Sequence, residues 1–158
     1  MKRFALALVV VTLVAAVAGH WAGSGAQTGE RRHFTIAAVE PRGGTNVSQE
    51  PVPGAALPAG GGYLYRPPDA SGRWEVSAYL WTPGQIIVRQ GDVVVIDFVG
   101  INGAAHPTEI GGLAHSFTLR RGEVSRFEFR ADAPGVFPII CSTHQPSMRA
   151  EIVVLPRS

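Results

Sequence analysis

From residue 74 onward the sequence is a succession of short runs rich in Val, Ile and Phe, each closed by glycine or proline. Trp74-Glu-Val-Ser-Ala-Tyr-Leu80 and Ser125-Arg-Phe-Glu-Phe-Arg130 alternate apolar and polar residues, the period of a half-buried strand. Gln85–Arg89 and Asp92–Val99 are β-branched runs split by Gln90-Gly91. Val136–Ile140 and Ala150–Leu155 add two more, with turns at Arg121-Gly122 and Ala133-Pro134-Gly135, the last read as a hairpin turn. No segment past residue 30 sustains a helical period. Closely spaced short strands of this kind predict an all-β sandwich or barrel. His33–Val39 reads as the first strand. The Pro/Gly-rich stretch 40–72 has no period and reads as a long cover loop or a partly disordered segment.

The 158 residues suffice for one domain with a real core. Residues 1–26 have the form of a targeting segment: Lys2 and Arg3, then an apolar run from Phe4 to Ala18, then the small residues Ser24-Gly25-Ala26. The expectation is a signal peptide or an N-terminal anchor over 1–26 and a domain over 27–158. The domain would then be exported, periplasmic or otherwise extracytoplasmic, and held at a membrane if the leader is retained. The net charge of +2 comes from Lys2 and Arg3; the other 12 basic residues balance the 12 acidic ones. A neutral domain argues against a nucleic-acid partner, which needs a basic surface.

The chain holds one cysteine and, besides Met1, one methionine, and both fall in "CSTHQPSM", Cys141 to Met148, with His144 between them. Exported domains usually carry cysteines in pairs; a lone thiol survives there when buried or bound to a metal. Thiolate, imidazole and thioether form a soft donor set, and two His, one Cys and a weak axial Met is the set of mononuclear electron-transfer copper sites. Zinc sites more often use several thiolates or carboxylates without methionine. A tight loop between two strands would bring Cys141, His144 and Met148 to one point. The plainer reading makes Met148 core filler and His144 a surface residue.

The set needs a second histidine, and His106 and His115 are the candidates. Strand direction separates them. If the strand ending at Cys141 climbs toward the site, the strand 125–130 descends, 115–120 climbs and 106–113 descends. His106 then starts at the same end as Cys141, and His115 starts at the far end. His106 is the expected ligand and His115 the alternative.

The stretch Trp74–Leu155 resembles the cupredoxin family. Its Cys-x2-His-x3-Met spacing lies between plastocyanin-like and amicyanin-like loops, and "MRAEIVV" (148–154) is similar to the ending of plastocyanins, with Ala150 at a glycine place. "ADAPGVFPIIC" (131–141) resembles the copper domain of cytochrome c oxidase subunit II and of nitrous oxide reductase. The interval of 35 residues from His106 to Cys141 matches those proteins and nitrosocyanin. The "HFTI" start and "VRQGDVVVIDF" (88–98) also resemble nitrosocyanin. The resemblance implies a cupredoxin-like Greek-key sandwich. A binuclear centre would need a second cysteine four residues after Cys141, where Gln145 stands. One copper per chain, on His106, Cys141, His144 and Met148, is what remains. Pro107 stands where blue copper proteins usually have Asn.

The function expected is electron transfer with redox partner proteins, without catalysis, and with small Pro107 and Pro146 contacts around a His144 edge near the surface. The alternative is a nitrosocyanin-like site with an open position for small-molecule binding or redox catalysis. Copper storage or delivery would ask for more Met or Cys than this chain has.

Overall fold

A computed structural model describes residues 29–157. The expectations for the leader, signal peptide or anchor, lie outside the described residues. Within them the chain forms twelve strands in three sheets.

The alternating runs become strands that bury alternate residues. In β6 (Gln85–Arg89), Ile86 and Val88 point inward and Ile87 outward; in β12 (Arg149–Leu155), Ala150, Ile152 and Val154 are buried. The longest β-branched run becomes β7 (Val93–Gly100), covered on nearly its whole length, with Val94, Ile96 and Phe98 wholly buried. It lies between β1 (Arg31–Val39), to which it is parallel, and β10 (Val124–Arg130), to which it is antiparallel; β5 (Leu80–Thr82) closes the other side of β1. The second sheet runs β6, β12, β11 (Gly135–Cys141), β8 (Ala105–Ile110) and β9 (His115–Arg120). The two sheets face each other across one core, with Ile36, Ile96 and Phe98 on one side and Ile110, Leu119, Ile139 and Ile152 on the other. Each such side chain, fully buried, contributes about 1.5–3 kcal/mol of transfer free energy.

The glycine turns carry the chain between sheets. Gln90-Gly91 takes it from β6 to β7 and Arg121-Gly122 from β9 to β10, and both glycines have positive φ, at 90° and 78°. The Ala133-Pro134-Gly135 turn is not a hairpin, because β10 belongs to the first sheet and β11 to the second. It is an arch across the sandwich. Each face must cover the other's apolar side, and switching sheets at the turn achieves that without altering the reversal of direction.

Stretch 40–72 also differs from expectation. It supplies β2 (Arg42–Asn46) and β3 (Tyr63–Arg66), which pair on either side of β4 (Arg73–Ala78) in a third sheet. The segment is therefore an ordered flap hung on the Trp74 strand. Its backbone hydrogen bonds to β4 are what order it.

Far from the flap, at the opposite end from Cys141, the wholly buried carboxylate of Asp92 ties the sandwich together. It accepts the backbone N–H groups of Glu30 and Arg89, both at 3.0 Å, and pairs with Arg157 at 2.6 Å and Arg32 at 2.9 Å. Burial alone would raise its pKa; the two N–H groups and two guanidiniums outweigh that and hold it below the ordinary carboxylate value.

Candidate metal centre

Three of the expected residues meet at one end of the sandwich. Antiparallel pairing of β8 with β11 sets Thr108 against Cys141, which puts His106, two residues nearer the start of β8, just beyond the end of β11. The Ser142 N–H donates to the Pro107 carbonyl at 2.9 Å and stitches the 141–148 loop to β8. Pro107 thus takes part in holding the loop through its carbonyl, which proline retains. The loop closes on itself as well. The Cys141 N–H donates to the Met148 carbonyl at 3.2 Å, and the Met148 N–H donates to the His144 carbonyl at 2.9 Å. Gln145 Nε2 donates to the Cys141 carbonyl at 2.7 Å.

The result gathers His106, Cys141 and His144 with their donor atoms all within 4.8 Å of one another. Cys141 Sγ lies 3.5 Å from His144 Nδ1 and 4.0 Å from His106 Nδ1, and the two Nδ1 atoms are 3.2 Å apart. Nitrogen and sulfur ligands at roughly 2.0–2.3 Å from one ion, spread in a triangle around it, stand roughly 3.5 Å apart. The observed triangle has that size. His106, Cys141 and Met148 are wholly buried and His144 is half-buried. Met148 sits immediately before β12, in the same core cluster as Cys141.

Charge and tautomer favour metal binding. His106 Nε2 is 2.6 Å from the Asn102 carbonyl oxygen, which only accepts; Nε2 therefore carries the proton and Nδ1 presents its lone pair to the cluster. Burial, and secondarily the neighbouring His106, lower the pKa of His144, with Glu40 opposing. The ring is kept neutral, as a metal ligand must be.

His115 is not brought to the cluster. It pairs with Ile110 at the opposite end of the β8–β9 hairpin and stacks on Phe127, with centroids 4.0 Å apart. His33 lies on the outer face of the first sheet, 2.8 Å from Asp97.

The flap adds residues that sequence reading missed. Tyr79, between β4 and β5, lays its ring on that of His144, with centroids 4.0 Å apart and planes tilted by 31°. Its phenol lies near the Glu40 carboxylate, which pairs with Arg42 at 2.6 Å and is almost fully buried. Burial and then Glu40 raise the Tyr79 pKa, so the hydroxyl keeps its proton. The surroundings of His144 are accordingly Tyr63, Leu64 and Tyr79. Pro107 lines a separate groove on the outer face of the second sheet, with Ile140 and Ser142. No local pattern marks Tyr79 or Glu40 as neighbours of His144; only the fold of the flap does.

A two-sheet sandwich with a His–Cys–His cluster at one end defines a cupredoxin fold, and comparison with solved structures agrees. The chain is similar to the copper nitrite reductase of Nitrosomonas europaea (19% identity, TM-score 0.51, covering 81% of this chain and 42% of that one). It is likewise similar to the Cu-containing nitrite reductase of Thermus scotoductus SA-01 (21% identity, TM-score 0.51, 82% and 28% covered). A third likeness is to the L499M mutant of the laccase from B. aclada (10% identity, TM-score 0.53, 81% and 23% covered). The chain spans less than half the length of each. No protein-family model and no curated protein matches the sequence.

Proposed function

We propose that the protein is an exported copper protein that carries single electrons between redox partner proteins. One copper per chain is held by Nδ1 of His106, Sγ of Cys141 and Nδ1 of His144, with the Met148 thioether as a weak fourth donor. The observation that carries this reading is the triangle of donor atoms with the His106 tautomer already set by Asn102. Bound copper would supply one-electron chemistry, alternating between cupric and cuprous states.

The chain's own part is to hold the donors still. Cys141 ends a paired strand and His106 starts one, so neither moves without unpairing the second sheet. The 141–148 loop is closed by its own hydrogen bonds and by Ser142 on Pro107. The core excludes water from Cys141, His106 and Met148, while His144 lies nearer the surface and gives electrons the shortest way in or out. A fixed ligand geometry keeps the cost of changing oxidation state small.

The alternative, an open copper position for a small molecule, would need space at the ion. Complete burial of Met148 beside Cys141 favours the closed site. The test is a redox titration of the copper-loaded protein. The account expects one reversible electron per chain, with copper affinity falling at least about tenfold in His106→Ala and unchanged in His115→Ala. Equal loss in both variants, or copper that does not cycle, would remove the basis for electron transfer.

A further inference from the structure

The flap sheet sorts its residues by face. Its strand pairing puts Arg42, Arg66, Arg73 and Glu75 on one side, with Leu64 and Ser77. Gly43, Thr45, Trp74, Val76 and Tyr65 fall on the other side. There a cavity of about 420 Å³ is lined by Gly43, Gly44, Thr45, Glu50, Trp74 and Val76. The volume falls in the range of small-molecule sites.

The hollow exists because residue 43 is glycine. Gly43 pairs with Val76 in a strand, has no positive φ, and a Cβ there would meet nothing within 4 Å. Gly44 differs, since a Cβ there would stand 2.9 Å from the Arg73 guanidinium. Sterics thus account for glycine at 44 but not at 43. At 43 its effect is to leave the space over Val76 open.

The lining defines the chemistry of what fits. Trp74 supplies an aromatic wall. Its indole N–H donates to the Glu50 backbone carbonyl at 3.0 Å, and its ring meets the Tyr65 ring edge-on, with centroids 6.1 Å apart. Glu50 is exposed, and its carboxylate has no ion-pair or hydrogen-bond partner among the described residues. Glu75 and Glu40, by contrast, pair with Arg73 and Arg42, each at 2.6 Å. No Lys, Arg or His lines the cavity, so an anion would meet only like charge. A neutral apolar molecule would strip water from the carboxylate without replacing it. A sugar would find Glu50 as the one free side-chain acceptor, because the Thr45 hydroxyl is engaged with Gln49 at 3.4 Å. An organic cation gains from both the ring face and the carboxylate.

We infer that this cavity binds a small quaternary ammonium compound, its methyl groups on the Trp74 ring and its charge beside the Glu50 carboxylate. The site stands apart from the metal cluster and does not depend on the copper reading.

The experiment titrates choline into the metal-free full chain and follows the Trp74 indole signals by NMR. A saturable shift is expected. The uncharged isostere of choline, with carbon in place of nitrogen, should bind about tenfold more weakly, and Glu50→Gln should weaken choline by a similar factor. Gly43→Leu fills the hollow at a position where an added Cβ meets nothing. It should abolish the shift and leave the His106 and His144 signals in place. Ile87→Gln, exposed on the second sheet, should bind choline as the wild type does. A shift that never saturates, equal binding of choline and its isostere, or binding that survives either Gly43→Leu or Glu50→Gln would overturn the site. So would glucose saturating the Trp74 signals where choline does not, which would make the cavity a carbohydrate site.

Discussion

The Nε2 of His106 lies 2.6 Å from the carbonyl oxygen of Asn102, and this one contact fixes which ring nitrogen faces Cys141. The turn that provides it is tight. Asn102 Oδ1 accepts the Glu40 N–H at 3.1 Å, which links the ligand's support to the root of the flap.

Gly103 is the point at which that support is most easily broken. It has φ +78°, and a Cβ there would fall 2.6 Å from the His106 ring and 3.1 Å from Tyr79. Gly103→Ala should therefore turn the imidazole away and weaken copper binding by about 10–100-fold, the usual cost of losing an outer partner of a ligand. A competitive titration against a chelator of known affinity checks it.

The stack of Tyr79 on His144 makes a graded prediction. Tyr79→Phe keeps the ring and loses the hydroxyl near Glu40; Tyr79→Leu loses both. The aromatic contact is worth about 0.5–1.5 kcal/mol. The copper EPR spectrum and potential should stay near wild type in Tyr79→Phe and shift in Tyr79→Leu. Equal change in the two would assign the effect to Glu40 instead.

Asp92 concerns stability alone. Asp92→Asn leaves two backbone N–H groups and two guanidiniums without their anion, and hydrogen bonds to a charged group are worth about 1.5–3 kcal/mol. Urea unfolding should show a loss of at least about 2 kcal/mol. The copper spectrum should not change, because Asp92 stands at the other end of the sandwich.

Acid should weaken the outer face of the first sheet. The hydrogen bonds from Arg126, and then His33, lower the Asp97 pKa from 3.8 to about 2. The unfolded chain takes up that proton first as pH falls. The contribution of the pair is therefore full above the ordinary aspartate value and is lost as pH drops toward about 2. Solvent screening of the exposed Arg126 keeps it small. Urea midpoints measured through this window should slope less in Asp97→Asn than in the wild type.

How far the sequence could be read depended on whether side chains or backbone held each part. β6, β7, β10 and β12 bury alternate or continuous apolar residues, and their runs showed it directly. His106 could be preferred to His115 because chain direction alone separates the two ends, and the β10–β11 arch reverses direction just as a hairpin would. Which sheet each strand joins is a tertiary matter, and there the hairpin expectation failed. β2, "RGGTN", has no apolar side chain and is held by pairing with β4, so no pattern announced it. Tyr79 reaches His144 across 65 residues, and Asn102 acts through a carbonyl that every residue possesses.

The central claim is tested most directly by the visible absorption spectrum after Cu(II) is added to the purified protein. The account predicts an intense thiolate-to-copper charge-transfer band that saturates at one copper per chain and is absent in Cys141→Ser. A folded protein that takes up no stoichiometric copper, or a band that persists without the Cys141 sulfur, would contradict it.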